Sequence, residues 1–307
     1  MSKNKYSKIR KLIPLQVRIH IGPIVSFLFY FFYTNFRRSP LNPKVLSIEN
    51  TIDHIVKNDL SAVRFGDGEI SLINNISLLF QDKNTELAQK LQDIITSDDP
   101  GLLICILNIW NNNIRTLARR VYWFELHHVL TFHSTWEKLL SPNITYGDAF
   151  ITRPYITIKD RTRSELIFTK LKSIWEDKDV VLIEGEKSRN GVGNDLFANV
   201  KTLRRILCPA ENAYSKFEEV LVYAKTIQKD ALILVSLGPA AKLIAYELFK
   251  SGYRVIDIGH IDMEYEMFIK KSEKIVEVKY KYFSEINIRN PENCNDDEYQ
   301  RQILIKI

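Results

Sequence analysis

Leu60-Ser61-Ala62-Val63-Arg64-Phe65 runs directly into Gly66-Asp67-Gly68-Glu69, and this junction decides the fold. The first six residues are rich in strand formers and short enough to be one buried strand. They stop at a glycine turn, and from Ile70 onward the pattern becomes amphipathic. Strand, glycine turn and helix in that order open a Rossmann-like unit. Just upstream, residues 45–60 (VLSIENTIDHIVKNDL) place apolar side chains at helical spacing and end in a polar turn.

The alternation continues downstream. Leu102–Leu107 reads as a strand, residues 111–123 as helical, and Val129–His133 as a further strand. Val180-Val181-Leu182-Ile183 is a strand ending at Glu184-Gly185-Glu186. Leu232–Leu237 is another, followed by Gly238-Pro239 and a helix from Ala240 to about Lys250. Val255–Ile258 closes the series at Gly259-His260, and Lys274–Phe283 has the composition of an edge hairpin. Continuous apolar strands separated by helices predict an α/β fold, a mostly parallel sheet with helices on both faces. Ligands of such sheets bind at the carboxyl ends of the strands. The segments GDGE, EGEKSRNGVGND and GHIDMEYE all fall at that end.

The chain of 307 residues is 45% hydrophobic and 26% charged, which suits a folded domain rather than a disordered one. Its three cysteines, Cys105, Cys208 and Cys294, are far apart and form neither a CxxC pair nor a disulfide framework. A reducing, cytoplasmic setting is the matching expectation. The net charge of +6 is unevenly spread. Residues 1–48 hold nine Lys/Arg and no acid; without them, 34 basic residues face 37 acids, a net of −3. The chain therefore divides into a basic, aromatic N-terminal arm, 1–44, and a mildly acidic body, 45–307. An anionic membrane surface attracts such an arm, by roughly 1 kcal/mol per nearby Lys or Arg. No nucleic acid is expected, because no RRM, KH or helix-turn-helix signature accompanies the charge. Within the arm, Ile21–Phe36 (IGPIVSFLFYFFYTNF) is shorter than the roughly 20 residues that span a bilayer. Two readings stand open, an interfacial anchor at the inner face of a plasma membrane and a helix packed on the domain or on a second copy of the chain.

Four segments carry chemistry. Asp67 and Glu69, just past a strand, can place two carboxylates on one hard divalent ion, Mn²⁺ or Mg²⁺. Gly66 and Gly68 would let a nucleotide approach the backbone, and Arg64 could add a charged contact. A glycine-rich turn with two solvated acids is the plainer alternative. Glu184 to Asp195 combines Lys187 and Arg189 with Asn194-Asp195 before a helix expected from Leu196, an arrangement suited to phosphate. An N-cap in a surface loop explains the same residues, and no Walker A order is present. Gly238, in Ser236-Leu237-Gly238-Pro239, allows either close helix packing or approach of a ribose or phosphate. Asp257–Glu266 gathers His260 with Asp262, Glu264 and Glu266, a density typical of a general base. His127, His128 and His133 read as structural, and Cys208 has no obvious His partner for thiol catalysis.

Together RFGDGE (Arg64–Glu69), YGDAFITRPY (Tyr146–Tyr155), EGEKSRNGVGNDLF (Glu184–Phe197), RRILCPAENAY (Arg204–Tyr214), LGPAAKLIAYEL (Leu237–Leu248) and DIGHIDMEYE (Asp257–Glu266) resemble the GT-D-type glycosyltransferases. These bacterial enzymes act on serine-rich surface adhesins and were long classed as a domain of unknown function. The resemblance implies a Rossmann-like fold, a UDP-sugar donor, a glycan or glycoprotein acceptor, and a metal held through Asp67 and Glu69. It also implies a donor pocket with Glu184, Arg189, Asn194 and Asp195, and His260, Glu264 and Glu266 near the reacting sugar. Ala240 stands where the family pattern has Thr, and Met267 where Trp is common. The arm suits a lipid-linked or capsular acceptor and self-association into a homo-oligomer. Two other classes fit the same acids: a metal-dependent nucleotide-sugar hydrolase, and a non-catalytic nucleotide-binding partner of another transferase.

Overall fold

The computed structural model describes residues 41–110, 113–283, 286 and 288–307. Residues 1–40 of the arm, with the aromatic run Ile21–Phe36, lie outside the described residues. In chain order the main elements are β1 Lys44–Val45, α1 Ile48–Lys57, β2 Ser61–Phe65, α2 Asp67–Ile73, α3 Thr85–Ile95, β3 Leu102–Ile106 and α4 Arg119–Leu139. There follow β4 Thr145–Asp148, α5 Ser164–Lys172, β5 Asp179–Gly185, β6 Thr202–Cys208, α6 Phe217–Ala224 and β7 Leu232–Ser236. The chain closes with α7 Ala240–Lys250, β8 Arg254–Asp257, α8 Ile261–Ile269, α9 Asp297–Gln302 and β9 Ile303–Lys306.

The strands form one sheet in the order β1-β4-β3-β2-β8-β7-β5-β6-β9, every neighbouring pair parallel. From β2 the chain first builds toward β4, then crosses to β5 and works back to β8, which pairs with β2. The direction of winding thus reverses beside β2, and such a switch point opens a crevice at the strand carboxyl ends. Val180, Val181, Leu182 and Ile183 of β5 are fully buried, as are Ile233, Leu234 and Val235 of β7. This explains why these strands read as unbroken apolar runs. The helices gather in two layers, α1 against α5 and α7 against α3 and α6. Helix α1 starts at Ser47, whose hydroxyl accepts from Asn50 N at 3.2 Å. It turns Thr51, Ile52 and Ile55 inward. Helix α7 buries Ala240, Ala241, Leu243, Ile244, Ala245 and Leu248 because it lies over β2, β7 and β8.

Three expectations are corrected. Val129–His133 belongs to helix α4, in which Leu126, Val129, His133 and Trp136 are buried at helical spacing; a short apolar run cannot by itself distinguish strand from buried helix. The non-helical Phe132 (φ −111°, ψ 18°) kinks α4 inside that run. No helix begins at Leu196. Arg189, Gly191 and Gly193 take positive φ of 49°, 78° and 77°, and the segment turns repeatedly instead. Lys274–Phe283 forms no edge strand; it contributes an isolated antiparallel bridge between Phe283 and Ile288, and β9 takes the sheet edge beside β6.

Candidate active site

The rim of the sheet at β2, β8 and β7 brings three of the four segments together. Gly66 caps α2, and Glu69 closes a capping box by accepting from Gly66 N at 2.8 Å through Oε2. Its other oxygen, Oε1, lies 2.8 Å from Lys242 Nζ. Lys242, in the first turn of α7, also reaches Asp257 Oδ2 at 3.2 Å and donates to the Gly238 carbonyl at 3.3 Å. One buried ammonium therefore ties the GDGE turn, the end of β8 and the glycine turn after β7. Among the described residues it is the main site residue that motif reading missed. A lysine on the otherwise apolar face of a helix just after Gly-Pro was the available signal.

Arg64 completes this cluster. It donates to the Asp257 carbonyl through Nε at 3.0 Å, to Asp257 Oδ1 through NH2 at 3.2 Å and to the Ala149 carbonyl through NH1 at 3.2 Å. Burial would raise the Asp257 carboxyl, but Arg64 and Lys242 together hold it below the usual carboxylate range. Gly259, at φ +43°, is a true glycine requirement, because a Cβ there would fall 1.7 Å from Arg64 NH2. Gly238, at φ +55°, approaches Phe80, whose ring would stand 3.0 Å from a Cβ. Gly68 lies against Leu78, 3.2 Å from where a Cβ would stand.

Asp67 opens α2 and is half-buried. Facing it from α4 is Glu125, only 4% exposed, whose Oε2 has no hydrogen-bond partner among the described residues. Burial, then the charge of Asp67, push the Glu125 carboxyl well above the usual carboxylate range, with Arg153 pulling the other way. Glu125 was absent from the sequence reading, because the stretch around it carries no glycine turn or strand end. His260, half-buried, precedes α8, its ring 5.9 Å from that of Phe283.

The remaining predicted residues form a second cluster that fastens loop 185–195 to α8 and to the tail. Glu184 pairs with Arg205 and accepts from Asn190 N and Nδ2 at 2.8 and 2.7 Å. Arg189 NH1 donates to the carbonyls of Tyr280 and, at 2.7 Å, Glu292. Asn194 Nδ2 reaches Asp262 Oδ1 at 2.8 Å and Glu266 Oε1 at 2.7 Å. Lys281 Nζ meets the same two acids at 2.7 and 3.0 Å. Asp195 is held by Lys172 Nζ at 2.9 Å and the Tyr265 hydroxyl at 2.8 Å, and these hydrogen bonds lower its pKa. Glu264 Oε2 accepts from Tyr155 N and Ile156 N at 3.0 and 2.8 Å. In Glu184, Arg189, Asn194, Asp195, Glu264 and Glu266, then, polar atoms are engaged within the protein.

Burial raises the Cys208 thiol to about 12 and Cys105 higher still, so neither is a thiolate nucleophile. His128 is structural, as expected: its Nε2 lies 3.2 Å from Trp136 Nε1, and burial lowers its pKa to about 4. Among the described residues no helix is long and apolar enough to cross a membrane.

A parallel sheet with a glycine-and-carboxylate turn at its switch point defines a Rossmann-like α/β protein. The chain belongs to the glycosyltransferases of GT-D fold: that family's description, "Glycosyltransferase GT-D fold", matches residues 62–286. It is similar to "Probable glycosyl transferase Gly" of Streptococcus gordonii, 38% identical over 267 residues that cover 86% of this chain and 39% of the relative. It is also similar to "Glycosyltransferase GlyD" of Streptococcus pneumoniae serotype 4 (strain ATCC BAA-334 / TIGR4), 35% identical over 86% of this chain and 32% of that protein. The chain thus spans between about a third and two fifths of the curated relatives it matches. A solved structure, "A New Glycosyltransferase (DUF1792) from Streptococcus sanguinis", shares 37% identity at a TM-score of 0.83, covering 87% of this chain and 100% of that one. A second, described as "The highly conserved domain of unknown function 1792 has a distinct glycosyltransferase fold", shares 38% identity at a TM-score of 0.83, over 86% and 95% of the two chains.

Proposed function

We propose that the chain transfers a hexose from a UDP-sugar to a hydroxyl of a glycan or glycoprotein, with a divalent ion at Asp67. The observation that carries this reading is the meeting of the Asp67–Glu69 turn, the Gly238 turn and the end of β8 at Asp257, which leads into His260, tied by Lys242. The donor set suits Mn²⁺ or Mg²⁺. Among the described residues no group of three or more His, Cys, Asp or Glu is placed to cage a metal. Such ions are commonly held by one or two carboxylates, with phosphate oxygens and water completing the shell. The orphaned Glu125 Oε2, pressed by the charge of Asp67, marks a place where a cation would relieve two acids. Asp67 would hold the ion directly. Glu69, with its oxygens on Gly66 N and Lys242, would keep the turn that aims Asp67.

When bound, the ion neutralises charge on the departing diphosphate. The bond from the sugar's anomeric carbon to the diphosphate oxygen breaks, UDP leaves, and the acceptor oxygen bonds to that carbon. The acceptor proton must go to a base, and His260 is assigned this role. His260 stands at the amino end of α8, half-buried, just past the end of β8. Glu264 and Glu266, whose carboxylate oxygens are engaged by Tyr155, Ile156, Asn194 and Lys281, are assigned to positioning. The N-terminal arm remains the proposed contact with a membrane surface or a second copy of the chain.

The test is UDP release from a panel of UDP-sugars with Mn²⁺, with and without EDTA, on wild type and Asp67→Asn. Turnover of one donor, stimulated by acceptor and lost with EDTA, is expected. Asp67→Asn should lower it by at least about a hundredfold, the scale of one charge-stabilising group at a reacting centre. Wild-type turnover in a folded Asp67→Asn protein would refute the assignment. Sugar release that no acceptor stimulates would favour the hydrolase, and tight UDP binding without turnover the non-catalytic partner.

A further inference from the structure

Where β5 and β6 end, a cavity of about 450 Å³ opens between the loops that follow them and the C-terminal tail. Its volume falls within the range of small-molecule sites, roughly 300–1,000 Å³. Glu186 and Lys187 enter from the first loop, Glu211 from the second, and Tyr282, Arg289 and Asn290 from the tail. Its walls are tied together. Tyr282 N donates to the Lys187 carbonyl at 2.8 Å, Lys187 Nζ reaches Asn290 Oδ1 at 2.8 Å, and Arg289 NH1 lies 3.6 Å from Glu211 Oε1. Arg289 Nε is buried and has no hydrogen-bond partner among the described residues.

The lining holds two cations and two carboxylates, with one phenol and one amide. That balance gives no net pull on a diphosphate, which favours clustered positive charge. It matches a neutral polyol, whose every hydroxyl both donates and accepts, and a tyrosine ring offers a flat apolar face beside them. The position is also informative. Phe283, next in the chain to the cavity residue Tyr282, packs against His260. Along the sheet, β5 is two strands from β8, about 10 Å at the usual strand spacing. Loop 185–195 joins the two places, since Lys187 lines the cavity while Gly191 N donates to Asp262 Oδ1 of α8 at 2.7 Å.

We propose that this cavity binds a neutral sugar ring of the acceptor glycan, with Glu211, Tyr282 and Arg289 as its recognition residues. This rests on the glycosyl-transfer reading and adds to it the place of the acceptor. Saturation-transfer NMR on the whole chain, with glucose, N-acetylglucosamine and maltose as probes, tests it. At least one probe should bind, and should remain bound in saturating UDP with Mn²⁺. Tyr282→Ala and the milder Glu211→Gln should each weaken it about tenfold, the scale of one net hydrogen bond. UDP affinity and the thermal midpoint should stay at wild-type values in both. Displacement of the probe by UDP would make the cavity part of the donor site and overturn the proposal. So would binding that both substitutions leave intact, or no binding of any of the three probes. Probe binding in a protein that fails to release UDP would retain the cavity assignment and sink only the transfer reaction.

Discussion

Lys242 is the side chain on which the rim depends. It is buried, and its two carboxylate partners, Glu69 and Asp257, are buried with it. Removing one member of such a set leaves the others uncompensated. Lys242→Met should therefore cost about 3–5 kcal/mol in urea unfolding. A loss below 1 kcal/mol would show that water reaches these acids. Arg64 and Gly259 make a coupled pair, since the guanidinium occupies the volume a side chain at 259 would need. Gly259→Ala alone should be strongly destabilising, but in an Arg64→Ala background its added cost should shrink by at least about 1 kcal/mol. Strict additivity in that cycle would contradict the geometry. Asp67 stood out in the sequence as a carboxylate between two glycines just past a strand, an arrangement that a solvated turn explains as well. Lys242 and Glu125 did not, because their meaning comes from partners far away in the chain.

At the level of elements, helix α4 yields a pH prediction. His128 is buried and uncharged, its pKa lowered by burial to about 4 from an ordinary 6.5. The unfolded chain binds this proton more readily than the folded one, so the contribution of His128 is present above pH 6.5. It is lost as the pH falls toward 4, by about 1.4 kcal/mol per unit between those values. Urea midpoints of wild type should fall more steeply than those of His128→Gln between pH 6.5 and 4.5, and parallel slopes would disprove it. The same helix shows where sequence reading failed. Its kink at Phe132 interrupts a pattern that was short and apolar, so five residues read as strand. The strands β3, β5, β7 and β8 were legible because both faces of each are covered, which leaves unbroken apolar stretches between their ends. Strand β2 was legible from its short apolar stretch ahead of the glycine turn, with Arg64 inside it. Strand β9, at the edge, is half-buried at alternate positions and exposed at the others, and went unread.

For the whole molecule, the edge matters more than its four residues suggest. Strand β9 covers β6, and its Lys306 pairs with Glu186 at the mouth of the cavity. Deleting residues 296–307 should expose the β6 edge and promote association, seen as a rise in light scattering at micromolar concentration. A monodisperse product would show that the edge protects itself. The placement of β8 beside β2 has a consequence for synthesis. Arg64 and Asp257, which hydrogen-bond across that pair, are 193 residues apart. At ribosomal speeds of about 5–20 residues per second, roughly 10–40 s separate the appearance of the two. For that interval the nascent chain carries the Asp67 turn on a strand with one open side. Whatever folds early does so without the site, and a chaperone that shields an unpaired strand has its natural moment there.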